Sequence, residues 1–256
     1  MNIHQRYCIM IIVLCLVMVT SVGITSSNED HILNGLEPGS YLVEKASKNR
    51  LVLIGTHHKN THIHNVIIHS LPALVATAGV NTLFVEIPTS QQQAIESFCR
   101  GDAGVEVIEV CEIIASPSYR EILLKARSLG MEIIAIDASG PFSITRDEWM
   151  ARRVTAYLEE HPQSKGLIIA GQRHVLKDIQ WTHVIEPSLA DHLDNYTAFS
   201  VITWPDALDN LLPVALDINP SYFAGIKDPT LMAMNTDPQV SLATAADGVI
   251  FMPKHR

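Results

Sequence analysis

The sequence predicts an α/β fold in which a mostly parallel central sheet carries helices on both faces. Three observations lead there: short continuous apolar runs of strand length, intervening stretches with helical periodicity, and the regular alternation of the two along 256 residues. Composition agrees, since 47% of the residues are apolar and 18% charged, which suits one globular domain with a sizeable core and excludes a disordered chain or a repeat array.

Leu51 to Ile54 is an apolar run ending at Gly55 and reads as a buried strand; Leu83 to Ile87 reads as the next. Between them Val66, Ile67, Leu71, Leu74 and Val75 recur at helical spacing. The alternation continues with a helix around Tyr119 to Leu129, a strand Glu132 to Ile136, a helix Arg146 to Glu160, a strand Leu167 to Ala170, a helix near Trp181 to Leu193 and a strand Thr197 to Ile202. Thr145 and Glu148 stand at capping-box spacing at the start of the Arg146 helix. From Pro205 to Asp247 the pattern fails, with five prolines, six aspartates and Lys227 as the one basic residue. That segment, 205–247, reads as a Pro-rich excursion or lid before a last strand, Gly248 to Met252. A weak echo joins two halves: Gly55 and His58 recur 116 residues on as Gly171 and His174, compatible with an internal pseudo-repeat.

Ahead of this domain, Arg6, an apolar run from Cys8 to Val19 and the small residues Thr20, Ser21, Gly23, Thr25, Ser26 and Ser27 follow the order of a secretory signal peptide. Residues 1–27 are therefore expected to be a cleaved leader and 28–256 a single domain, secreted or periplasmic, with no stable membrane span after cleavage. The alternative is an uncleaved N-terminal anchor. Cys8 and Cys15 would leave with the leader, so Cys99 and Cys111 remain as a pair in an oxidising compartment and are expected to bridge. A formal charge of −9 excludes a nucleic-acid footprint and disfavours acidic phosphate substrates.

The chemistry centres on histidine. Of twelve, five fall between His57 and His69: His57, His58, His62, His64 and His69. Two Gly-x-x-His segments, Gly55-Thr56-His57-His58 and Gly171-Gln172-Arg173-His174, each follow a buried strand directly, which places His58 and His174 at carboxyl ends of parallel strands. Glu86 lies at the same end of the second strand, in a run where an unpaired carboxylate is costly, and Asp137 follows the third. His58, His174 and Glu86 can hold a divalent metal of the zinc, manganese or cobalt type and leave a position for water. The same groups can instead work as acid and base without metal, or Glu86 can simply pair with Arg146. His57 could replace His58 as a ligand, and His62 and His64 suit solvent-facing helix positions equally well.

Leu-Val-Leu-Ile-Gly-Thr-His-His, Phe-Val-Glu-Ile-Pro, Arg146-Asp147-x-x-Met150-Ala151 and Leu-Ile-Ile-Ala-Gly-Gln-Arg-His, in that order, resemble the TIKI/TraB/GumN superfamily, which is related to the erythromycin esterases and the ChaN-like haem-binding proteins. The match spans roughly Leu51 to Val201. It implies a hydrolytic α/β site carried by His58, Glu86, Arg146 and His174, metal-dependent in the TIKI branch, acting on a peptide or small-molecule ester. The ChaN-like kinship implies the alternative, a non-enzymatic haem- or metal-binding protein. Thr56 stands where the esterase and ChaN branches usually carry glutamate, which favours the TIKI/TraB branch.

Overall fold

In the computed structural model the described residues are 35–58, 60–112, 114–139, 143–180, 186–208, 212–237 and 239–253, and they belong to one compact unit, Gly35–Arg256. The expected leader, 1–27, lies outside them, as do the first residues of the helix expected from Trp181. Among the described residues seven strands form one sheet: β1 (Leu51–Thr56), β2 (Thr82–Pro88), β3 (Glu132–Asp137), β4 (Gly166–Gly171), β5 (Ala198–Leu208), β6 (Val214–Asp217) and β7 (Gly248–Pro253). Their spatial order is β3-β2-β4-β1-β5-β7-β6, and every ladder is parallel except that of β6 on β7. The predicted class is therefore the observed one.

The continuous apolar runs follow from burial on both faces. In one register Val52, Ile54, Leu83, Val85, Leu167 and Ile169 pack with α1 (Pro38–Lys48), α2 (Thr61–Ala78) and α4 (Pro117–Ser128) through Leu42, Ile67, Leu71 and Ile122. In the other register Leu51, Leu53, Phe84 and Ile168 are fully covered as well. There Phe84 meets Tyr157 of α5 (Arg146–Glu160) edge to face, with ring centroids 5.4 Å apart. Gly166 makes room on that side, since a Cβ there would come within 2.5 Å of Phe84. Helix α5 starts where expected: Thr145 Oγ1 accepts from the Glu148 N–H at 3.1 Å, while the Glu148 carboxylate goes to Arg152 instead of closing the capping box.

Two expectations are corrected. The 205–247 segment is not an unpaired excursion: β6 joins the sheet antiparallel to β7, and Leu36 bridges to Ala215 on its far side. The short apolar run Val214–Ala215–Leu216 is enough for an edge strand once β7 offers a partner. Around it lie α7 (Pro220–Phe223), α8 (Pro229–Met234) and α9 (Leu242–Ala245), and Phe223 is an anchor, buried and stacked on Phe251. Cys99 and Cys111 are not bridged; both are free thiols, Cys111 exposed and Cys99 half-buried against the α3 (Gln92–Arg100) side of the core.

Both sheet edges are covered in part. On the β3 edge the Gln92 side chain acts as a surrogate peptide, donating to the Ile133 carbonyl at 3.3 Å and accepting from the Ala135 N–H at 2.8 Å. On the β6 edge the Leu36 and Ala215 backbones exchange hydrogen bonds of 2.8 and 2.9 Å. Among the described residues no helix is long and apolar enough to cross a membrane. With β6 left aside, the strand order reads the same from either edge if β1 is exchanged for β4, β2 for β5 and β3 for β7, but the pseudo-repeat is not established by that order.

Candidate functional site

Strands β1 and β4 are neighbours, with Gly55 opposite Ala170 and Thr56 opposite Gly171. The chain leaves β1 toward β2 on one side and β4 toward β5 on the other, so the two Gly-x-x-His segments emerge where the crossovers diverge, the place at which open α/β sheets bind ligands. Neither glycine has a positive φ; each is required for space. A Cβ at Gly55 would lie 2.5 Å from Val175 and 3.1 Å from the Gln172 Cα, blocking the seat of α6 (Gln172–Val175). A Cβ at Gly171 would lie 2.7 Å from His58 Cε1 and 2.8 Å from its Nε2, so the His58 ring rests on the bare Gly171 backbone.

Glu86 sits where β2 leaves its ladders: pairing with β4 ends at Val85, and the register with β3 shifts between Val85 and Pro88. Such an irregularity re-aims a side chain. Its carboxylate is almost fully buried and both oxygens are committed, Oε2 accepting from the Gly171 N–H at 2.6 Å and Oε1 from Arg146 Nη2 at 2.6 Å. Arg146, first residue of α5, also forms a two-pronged pair with Asp137, Nε to Oδ1 at 2.7 Å and Nη2 to Oδ2 at 2.8 Å, and its Nη1 faces His174 Nε2 at 3.3 Å. Asp137 foremost, by these hydrogen bonds, pushes the guanidinium pKa up.

His174 is 2% exposed and its Nδ1 is hydrogen-bonded to the fully buried Asp147. With Nδ1 donating to that carboxylate, Nε2 is left as the acceptor for Arg146, so the two partners fix the ring's tautomer. His58 is half-buried and makes no hydrogen bond among the described residues; burial lowers its pKa, Glu86 opposes this, and His174 and Arg146 add to it. Arg146 has a side chain 40% exposed, against 4% for Glu86 and 2% for His174. The accessible groups are therefore His58 and Arg146, and the others form the layer beneath.

The structure thus brings together all the expected residues, His58, Glu86, Asp137, Arg146 and His174. It does not arrange them as a metal site. No cluster of three or more ligating side chains suited to a metal ion occurs among the described residues. The reason is electrostatic: the cation between Glu86 and His174 is the Arg146 guanidinium, and a divalent ion there would face it in a medium where like charges repel strongly. His57 has its ring bonded by the Thr203 backbone on β5, its Nε2 is buried without a hydrogen-bond partner among the described residues, and burial lowers its pKa. His64, expected equally at a solvent-facing position, is fully buried and bonded through Nδ1 to Ser118 Oγ at 2.8 Å.

One contributor escapes the sequence reading: Asp147 was visible only as a neighbour of Arg146. His64 and Tyr119 are buried in the first turns of α2 and α4. For His64 a signal exists, since it shares the helical face of Ile67, Leu71 and Leu74.

No family model matches the chain, and no curated protein is similar to it. Solved structures are. A succinoglycan biosynthesis protein superposes with a TM-score of 0.68 at 9% identity over 86% of this chain and 94% of its own. A protein from Bacillus cereus gives 0.63 at 11% identity, covering 84% and 90%. An erythromycin esterase mutant in its open conformation gives 0.56 at 11%, covering 84% and 93%. The likeness establishes a shared fold, the one that the superfamily resemblance implied.

Proposed function

We propose that the protein is a hydrolase of ester substrates whose centre works through acid–base and electrostatic catalysis. The observation that carries this reading is the state of Arg146: four of its five N–H donors are committed to Asp137, Glu86 and His174, which leaves one Nη1–H on a half-exposed, immobilised cation beside His58. A fixed cation of this kind stabilises negative charge as it develops on a carbonyl oxygen. His58, with its pKa below the usual histidine value, carries a lone pair at neutral pH and accepts the proton of an attacking water. The resulting imidazolium returns the proton to the departing alkoxide, so that ester and water give acid and alcohol with the histidine unchanged. Asp147 and His174 hold the guanidinium from below. The fold shared with an erythromycin esterase supports an ester over a peptide. With both ring nitrogens engaged, His174 is a poor ligand for a divalent ion or for haem iron. We infer that the protein acts after export, the order of residues 1–27 being that of a leader.

The test is hydrolysis of a panel of p-nitrophenyl and carboxylate esters by the purified protein. His58→Ala abolishes turnover and leaves the thermal midpoint within a few degrees, while Arg146→Lys keeps charge but loses the planar fork and lowers kcat. Wild-type rates in both variants would overturn the reading. An intact Met1 on the exported protein would overturn the inference of a cleaved leader.

A further inference from the structure

Asp228 is a buried carboxylate that the centre described above does not use. It is 0% exposed and held by neutral donors: the Leu231 N–H donates to Oδ1 at 2.8 Å, capping α8, and Gln172 Nε2 donates to Oδ2. A helix cap works equally well in water, where the charge keeps its hydration, so the burial points to the second bond. Gln172 is itself buried and belongs to the second Gly-x-x-His segment, between Gly171 and Arg173. Its Oε1 accepts from the Thr203 N–H at 2.9 Å. With a carboxylate on one side and an N–H on the other, only one orientation of the amide satisfies both.

Thr203, buried on β5, reaches the first Gly-x-x-His segment as well. The ladder between β1 and β5 has its last rung at Ile54 and Val201, and beyond it the Thr203 hydroxyl donates to the Gly55 carbonyl at 2.8 Å. Gln172 packs directly under that glycine, its Cα 3.1 Å from where a Cβ would stand. Asp228 is a firm anchor, because the chain beyond it is stapled to the stretch that follows His174. There the Thr236 N–H donates to the Gln180 carbonyl and the Lys177 N–H to the Ala245 carbonyl, each at 2.8 Å.

We propose that Gln172, oriented by Asp228, is a positioning residue for His58: it locks both Gly-x-x-His segments to Thr203 and so fixes the Gly171 backbone on which the His58 ring rests. The seat is close, since a Cβ on Gly171 would lie 2.7 Å from His58 Cε1. Arg146 is anchored separately, through Asp137 and Glu86. A shift of the segments therefore moves the base relative to the cation, and a misplacement of about 1 Å can cost a hundred-fold in rate.

The catalytic consequence rests on the hydrolase reading; the seating of His58 does not. Asp228→Asn leaves one donor facing another, at Leu231, at Gln172 or at Thr203, however the two amides turn. Adding Gln172→Glu restores every bond, since the new carboxylate accepts from the new amide and from the Thr203 N–H. On an ester that wild type turns over, Asp228→Asn should lower kcat roughly ten-fold or more with KM within about two-fold, and the double variant should recover to within about three-fold of wild type. The Cε1 proton resonance of His58, identified by its loss in His58→Ala, should shift in the single variant and return in the double. A brace that serves stability alone would lower the thermal midpoint of Asp228→Asn and leave kcat and that resonance at wild-type values in the folded protein, which overturns the proposal. If Asp228→Asn does not fold, Thr203→Val removes the hydroxyl bond to Gly55 and gives the same two readings, and wild-type values there overturn it equally. Failure of wild type to hydrolyse any ester would instead sink the proposed function, and the His58 resonance would still decide whether Gln172 positions the ring.

Discussion

Replacing Glu86 by glutamine keeps the side chain's shape and converts two acceptors into one acceptor and one donor. Both carboxylate oxygens face donors, the Gly171 N–H and Arg146 Nη2, each at 2.6 Å. Whichever way the amide turns, one face sets donor against donor. Breaking a buried pair costs about 3 to 5 kcal/mol when it strands a buried charge. Here the stranded charge is 40% exposed and keeps both hydrogen bonds to Asp137, so the electrostatic part is reduced by solvent. The unmade hydrogen bond at the buried Gly171 N–H adds roughly 1 to 3 kcal/mol. A total of about 2 to 4 kcal/mol corresponds to a fall in thermal midpoint of roughly 5 to 15 °C for a domain of this size. Scanning calorimetry of wild type and Glu86→Gln at pH 7 measures it. A shift below about 2 °C would show that Glu86 is not the buried clamp of Arg146 and Gly171 described above.

Gly171→Ala pushes the His58 ring off its seat and should cost at least ten-fold in ester turnover, whereas Gly55→Ala drives α6 from β1 and should show as lost stability of about 1 to 3 kcal/mol by denaturant titration. Asp147→Ala removes the acceptor that fixes the His174 tautomer, and kcat should fall by a hundred-fold or more with KM little changed. Burial pushes the His64 pKa down to about 4, so the unfolded chain takes up that proton first as pH falls. Its contribution is intact above about pH 6.5 and is lost between there and pH 4, by about 3 kcal/mol; melting curves should show the decline, and His64→Gln should blunt it. Prolonged dialysis against EDTA should leave turnover unchanged, because Arg146 fills the place a divalent ion would need.

What the sequence made legible was whatever depends on local pattern. The apolar runs at Leu51, Leu83 and Leu167 became β1, β2 and β4 because strands covered on both faces have no polar register to hide them, and α5 runs from Arg146 to Glu160 as its N-cap foretold. Strand β6 was missed since four residues behind Pro213 carry no periodicity, and it exists through its partner β7. The site divides likewise. His58, Glu86 and His174 stand at strand ends, which can be counted along the chain; that Arg146 reaches both Glu86 and His174 depends on where the first turn of α5 points. Asp147 carries the same lesson: its burial is made tolerable by His174, 27 residues away, and adjacency to Arg146 says nothing of it.

The side chain of Gln92 bears on how this protein behaves at high concentration. A parallel sheet whose outermost strand is open is a template onto which any extended chain can add, including another partly folded copy. The β3 rim is instead occupied at Ile133 and Ala135 by an amide that belongs to the same molecule, and the β6 rim by Leu36. Gln92→Ala leaves the interior of the fold untouched and exposes one N–H and one C=O of β3. Its penalty should therefore fall less on the melting temperature than on the concentration at which the protein begins to self-associate, a quantity read by light scattering.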